Sequence, residues 1–182
     1  MANLVSINGE RYLVDVGFGT DGPMWPVPLQ NGYVYTIFPP QYGKLEYRSL
    51  MQHTDPTQRV WVYSVRDTVD TEWRERYCFT DLEYFPEDFA SMNLSPMTLP
   101  TSFFVKTVLA MRAIIDEQTN VVTGVITLHK DTIKRKYRGE IEVLEILKNE
   151  EQRIKALESY FGIILKPSEQ KAIRGLATEL LE

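Results

Sequence analysis

Asn3-Leu4-Val5-Ser6-Ile7-Asn8-Gly9-Glu10-Arg11-Tyr12-Leu13-Val14-Asp15-Val16-Gly17-Phe18-Gly19 is the stretch whose reading decides the fold. Two β-prone runs, Leu4–Ile7 and Arg11–Val14, flank Asn8-Gly9. Asn-Gly is the strongest short hairpin signal, because a type I′ turn needs positive φ at both central residues. A two-residue turn there pairs Ile7 with Glu10, Ser6 with Arg11 and Leu4 with Leu13, and carried outward it sets Ala2 opposite Asp15. The position before Met1 then falls opposite Gly17, as a diagonal neighbour of Asp15 at about 7–8 Å between Cβ atoms or less. An imidazole at such a position could reach the carboxylate. Asp15 sits among apolar residues and glycines, where a carboxylate is costly to bury unless it is paired. Two readings stay open at this point. Asp15 is a strand-end residue that accepts backbone N–H groups in a glycine-rich turn, or a carboxylate that orients and charges a catalytic base.

Working outward, Gly17 to Pro28 reads as a loop with Met24 and Trp25 as apolar anchors. Tyr33–Phe38, Leu45–Arg48, Arg59–Val65 and Glu72–Phe79 read as short strands, which at this spacing suggest a barrel or sandwich. Phe85–Met92 reads as one or two helical turns and Ser95–Pro100 as a loop. Ser102–Ala113, Val121–His129 and Glu140–Leu147 read as further strands, with Thr107–Ala113 ambiguous. Asn149 with Gln152 resembles a capping box, and Gly162 should stop the helix that follows. A second helix is expected from near Ser168, with Ile173, Leu176 and Leu180 on one face. The expected architecture is mixed α/β: an antiparallel β-barrel over residues 1–93, then a small α/β lid over residues 94–182 that ends in two helices.

Composition narrows the class. The 182 residues suffice for a sizeable core, and 43% hydrophobic, 25% charged and 12% aromatic residues are those of a globular protein. A net charge of −5 argues against nucleic acid as a general partner. No apolar run reaches transmembrane length and no secretory leader precedes the first strand, so a cytoplasmic location without a membrane partner is expected. One cysteine, Cys78, fits a reducing compartment, and with His53 and His129 it makes a poor metal-ligand set, so no metal is expected.

The segment Asn3-Leu4-Val5, Gly9 and Tyr12-Leu13-Val14-Asp15-Val16-Gly17-Phe18-Gly19 resembles the central signature of arylamine N-acetyltransferases. Asp88-Phe89, Met92-Asn93 and Pro100-Thr101-Ser102-Phe103-Phe104 are similar to a second segment of that family at compatible spacing. The resemblance implies a Cys-His-Asp triad and a helical bundle, barrel and α/β lid in sequence. In that chemistry acetyl-CoA acetylates the cysteine, which passes the acetyl group to an arylamine, hydrazine or hydroxylamine; the histidine stabilises the thiolate and the aspartate holds the histidine. Asp15 matches the triad aspartate, Phe18 and Phe104 match aromatic residues of the acceptor pocket, and Thr101 matches a small hydroxyl residue near coenzyme A. The family histidine would fall immediately before Met1, and its cysteine in the helical bundle, which is absent from this sequence.

Cys78, in Arg-Tyr-Cys-Phe-Thr, reads as a small buried hydrophobe, His53 as a loop residue exposed to solvent, and His129 as a strand end. Lys130, Lys134, Arg135, Lys136 and Arg138 could meet the phosphates of coenzyme A or form a solvated strand balanced by Glu140 and Glu142. Tyr33, Tyr35, Phe38, Trp61 and Tyr63 read as barrel core. The expectation is an acyltransferase whose isolated 182-residue part is inactive, its start assigned to an internal methionine. The competing expectations are a non-catalytic coenzyme A-binding or regulatory remnant, which could pair with a full-length relative, and a small barrel that takes an apolar ligand.

Overall fold

The structure is a computed structural model and describes residues 2–181. The opening hairpin forms as the Asn-Gly turn dictates. β1 (Asn3–Ile7) and β2 (Glu10–Val14) pair antiparallel, Asn3 with Val14 through Ile7 with Glu10, and Asn8 and Gly9 carry φ of 52° and 83°. The position opposite Gly17 lies outside the described residues. A two-residue strand unmarked by any sequence signal, β3 (Val27–Pro28), adds to β2 inside the expected loop, Leu13 facing Val27. Both residues are fully buried, so apolar burial holds a strand too short to be read from periodicity.

Strands β4 (Tyr33–Phe38), β5 (Gln41–Arg48), β6 (Val60–Arg66) and β7 (Arg74–Phe79) form an antiparallel sheet in chain order. The β6 strand is buried on both faces except at its end, which is why it reads as an unbroken apolar run rather than an alternation. Its Trp61, Val62, Tyr63 and Val65 form the core with Ile37, Phe38 and Leu45, as expected for Phe38, Trp61 and Tyr63; Tyr33 and Tyr35 are half-buried.

After β7 come α1 (Pro86–Thr98) and α2 (Phe103–Lys106). The α1 helix runs into the expected Ser95–Pro100 loop as far as Thr98, despite Pro96. Its start is set by Pro86 in the first turn and by Asp88, whose carboxylate accepts from Phe85 N at 2.9 Å. The α2 turn replaces the start of the strand expected from Ser102, so β8 spans only Leu109–Asp116. With β9 (Val121–His129), β10 (Thr132–Tyr137) and β11 (Glu140–Ile146) it makes a second four-stranded sheet in the order β11-β10-β9-β8.

The α3 helix (Glu150–Phe161) is capped by Asn149, which accepts from Gln152 N, and stops at Gly162 in the left-handed conformation, as the sequence signals require. The α4 helix (Pro167–Lys171) is short, and Ile173, Leu176 and Leu180 lie beyond it in non-helical backbone rather than on one helical face. Leu180 nevertheless packs against the cluster of Leu128, Ile133, Leu147 and Ala156.

The chain divides into two compact units, Met1–Glu83 with Asp116–Thr123, and Tyr84–Ile115 with Gly124–Glu182. The fold is mixed α/β, as expected. Its strands form three separate antiparallel sheets of three, four and four strands, and no closed barrel occurs among the described residues. Closure needs hydrogen bonds between first and last strands, and β4 and β7 stay as edges.

Candidate active site

Asp15 follows β2 at the mouth of the loop to β3 and is only 9% exposed. Its Oδ1 accepts hydrogen bonds from Gly17 N at 2.9 Å and Phe18 N at 3.2 Å. This is the turn-closing arrangement of the first reading, and it also fixes the carboxylate. The turn thus engages Oδ1, while the carboxylate also acts on the Tyr77 hydroxyl. A carboxylate held in this way can orient and charge a neighbouring base, so both readings of Asp15 are compatible with one geometry.

Phe18 is held beside it by the same turn. Its ring packs on Tyr77 of β7, centroids 4.9 Å apart and tilted by 46°, while 43% of the residue stays exposed. Tyr77 packs in turn on Tyr63 at 5.1 Å, and the Tyr63 and Tyr35 hydroxyls share a 3.0 Å hydrogen bond. These three tyrosines, which the sequence reading treated as core or passed over, form the wall behind Asp15. The Tyr77 hydroxyl is buried without a well-formed partner, although the Asp15 carboxylate acts on it electrostatically. Burial first, then the charge of Asp15, raises the Tyr77 pKa; burial likewise raises Tyr35, against the Tyr63 hydrogen bond and with Asp15 adding to the rise. Burial followed by the neighbouring Tyr35 raises Tyr63.

The sign of the linkage is clear. A tyrosine whose folded pKa lies above its unfolded value of 10.0 stays protonated while the unfolded chain ionises. The stability these three contribute is complete below pH 10 and is lost as the pH rises from there toward the folded values. In an alkaline titration read by phenolate absorbance, three of the ten tyrosines should ionise only with unfolding. Smooth titration of all ten in the folded state would contradict the buried cluster.

In the other unit, Thr101 is exposed in the turn between α1 and α2, and Phe104 is 67% exposed on α2. The turn is fixed by Ser102, whose N donates to Leu99 O at 2.8 Å and whose hydroxyl donates to Pro96 O at 2.6 Å. Phe104 meets Phe103 edge-on at 5.6 Å, and Phe103 stacks on His129 at 5.9 Å. Thus Asp15 lies with Phe18, and Thr101 with Phe104.

Cys78 is exposed, not a buried hydrophobe. It lies on β7, the edge of its sheet, where one flank has no neighbouring strand. Cys78 and Tyr77 are consecutive, so their side chains leave opposite faces, and Cys78 does not face Asp15 as Tyr77 does. His53 is half-buried rather than open to solvent, with Nδ1 within 3.3 Å of the Ser49 hydroxyl and Leu50 N and 3.2 Å of Gln58 O. No cluster of metal-ligating side chains occurs among the described residues. In the basic segment, Arg135 pairs with Glu142 at 2.5 Å and Arg138 lies over the Tyr137 ring.

The N-acetyltransferase family profile matches residues 1–170. This chain belongs to the arylamine N-acetyltransferase family. Among curated relatives, an N-malonyltransferase of Fusarium pseudograminearum is 35% identical over 181 residues, covering 95% of this chain and 53% of that protein. Human arylamine N-acetyltransferase 2 is 28% identical over 159 residues, covering 80% of this chain and 54% of that protein. The chain therefore spans about half the length of the curated relatives it matches. The Salmonella typhimurium arylamine N-acetyltransferase structure superimposes with a TM-score of 0.73 at 22% identity, covering 94% of this chain and 59% of that one. The Mycobacterium marinum arylamine N-acetyltransferase in complex with CoA does so at 0.72 and 24% identity, covering 94% and 58%. These likenesses establish the family fold. No helix among the described residues is long and apolar enough to cross a membrane.

Proposed function

We propose that this chain carries the carboxylate of a Cys-His-Asp acyltransferase, with Asp15 as that carboxylate. The reading rests on one observation above all. Within the family's Asp-containing signature, Asp15 is buried at a hairpin end, where the Gly17 and Phe18 N–H groups hold its carboxylate in place. In this reading the thiolate attacks the thioester carbonyl of an acyl-CoA, coenzyme A leaves, and a small amine then takes the acyl group from the enzyme sulfur. By the family resemblance alone, Phe18 and Phe104 are each taken as acceptor-binding aromatics and Thr101 as a residue that serves coenzyme A. Arylamines or hydrazines are the acceptors and acetyl-CoA the donor, with the cytoplasm as the place of action and xenobiotic amines as natural candidates. A malonyl donor is the second reading, favoured by the N-malonyltransferase at 35% identity.

Cys78 is excluded from the triad in this reading, since it leaves β7 on the face opposite Tyr77, and His53, engaged with Ser49, Leu50 and Gln58, is not used. The thiol and imidazole come from polypeptide outside these 182 residues, and the chain alone is inactive. Apolar side chains on α1 and α2, among them Met92, Leu94, Met97 and Phe103, are more than half exposed or close to it and suit coverage by the helical bundle that the resemblance implies. The barrel-and-lid arrangement belongs to that same whole-enzyme reading.

The isolated chain is expected to give no acyl adduct by mass spectrometry after incubation with acetyl-CoA or malonyl-CoA. In the full-length enzyme, Asp15→Asn should lower kcat/KM by roughly 10³–10⁴-fold with the fold intact, because the base loses its orienting charge. An adduct on Cys78, or an Asp15→Asn enzyme within tenfold of the parent, would remove Asp15 from this role. Calorimetric coenzyme A binding by a chain that stays inactive in every longer form would support the remnant reading instead.

A further inference from the structure

We infer that Asp21, gripped by Gln41 and Arg76, is a positioning residue that fixes Phe18 as a rigid wall of the acceptor pocket; the inference rests on the acyltransferase reading above. The loop between β2 and β3 has little backbone order of its own, with one turn closed by Gly22 N to Gly19 O at 2.9 Å. Such a segment would leave a half-exposed aromatic ring free to sample many positions. Asp21 removes that freedom. Its Oδ1 accepts from Gln41 Nε2 at 2.9 Å, and its Oδ2 pairs with the Arg76 guanidinium. Gln41 is fully buried at the start of β5, and its Nε2 also approaches Asp67 Oδ1 at 3.4 Å.

Arg76 is aimed by the strand itself. Tyr63 pairs with Tyr77 and Ser64 with Glu75, so Arg76 is the extra residue of a β-bulge. A bulge re-aims a side chain that a regular strand would send elsewhere. Two adjacent residues of β7 therefore act on one loop, Arg76 on Asp21 and Tyr77 on the Phe18 ring. Gly22 transmits the constraint. A Cβ there would lie 3.1 Å from both Phe18 Cβ and Gly19 O, so a larger residue would press on Phe18 and on the turn that holds it.

The network is poorly built for stability alone. Gln41 Oε1 and Arg76 Nε are buried without partners among the described residues. Leaving such atoms unpaired offsets the gain from those that are paired. What the arrangement delivers is geometry, a fixed aromatic face suited to the flat ring of an arylamine.

The first test uses the chain itself. Asp21→Asn and Arg76→Met should abolish the nuclear Overhauser contact between the Phe18 and Tyr77 rings and raise exchange at the Gly22 amide. Unchanged contact and exchange in both variants would overturn the lock whether or not the chain belongs to an active enzyme. The second test uses the full-length enzyme. Either variant should raise KM for an arylamine by about tenfold while kcat and the KM for hydrazine, which lacks a ring, change less than about twofold. The paired exchange Asp21→Arg with Arg76→Asp should restore the arylamine KM, since Gln41 can turn its amide so that Oε1 accepts from the new guanidinium. Equal losses with both acceptors, or no recovery in the paired exchange, would reduce the network to a structural role and sink the inference. An enzyme with no transferase activity at all counts against the acyltransferase reading and leaves the first test to decide the lock.

Discussion

Replacing Gly124 by alanine is expected to cost about 3 kcal/mol or more of stability. Gly124 of β9 pairs with Tyr137 of β10, and a Cβ added there would fall on the carbonyl oxygen of Lys136 and within 3.1 Å of Tyr137 Cα. These are backbone atoms of a hydrogen-bonded neighbour, so no rotamer change relieves the clash and the strands must separate. The same sheet carries Leu128 and Ile133, two centres of the apolar cluster beneath α3, so the damage reaches the core. Denaturant unfolding should show the loss as a lower midpoint, with reduced amide protection along β9 and β10. A Gly124→Ala chain as stable as the parent would mean that this close approach does not exist.

Arg153→Met should have a comparable effect for an electrostatic reason. Arg153 is 2% exposed and is the largest fully buried side chain. Its guanidinium is held by the Glu150 carboxylate, with Nε to Oε2 at 3.0 Å, and Nη2 donates to Thr178 O at 2.8 Å while Nη1 lies 3.4 Å from Lys130 O. Glu150 in turn accepts from Leu180 N at 2.8 Å, so the pair clasps the end of the chain to the start of α3. Removing one partner of a buried pair leaves the other uncompensated, at a cost of about 3–5 kcal/mol. For a chain of this size that lowers Tm by roughly 10 °C. Residues 178–181 should also become accessible to carboxypeptidase. The double change Arg153→Met with Glu150→Leu should recover much of the loss, because no buried charge then remains. A single variant within about 1 kcal/mol of the parent would show that the clasp contributes little.

The hairpin and its register were legible because Asn8-Gly9 permits few turns and the pairing counts outward from it without ambiguity. The Asn149 cap and the Gly162 stop were legible for the same reason, as local chemistry acting within one helical turn. The α2 turn and the extension of α1 past Pro96 were not, since Ser95–Phe104 carries mixed signals that tertiary packing resolves. Burial alone created β3. For Cys78, composition could not foresee exposure, because its neighbours are apolar and only its place on an edge strand leaves it open.

At the site, the motif around Asp15 and Phe18 was visible, whereas the tyrosine wall and the Asp21 grip were not. Tyr35, Tyr63, Tyr77, Gln41 and Arg76 are separated from the loop by tens of residues, and their meeting depends on sheet register and on a bulge that no local pattern marks. The sequence by itself determined the family and the hairpin that leads to Asp15, and it carried the proposal for that carboxylate, because each follows from residues adjacent in the chain. Tertiary structure alone decided which hydroxyls and charges surround that carboxylate, how the Phe18 loop is held, and that Arg153 could be buried. These depend on contacts between distant segments, where one residue of register or one bulge changes every partner.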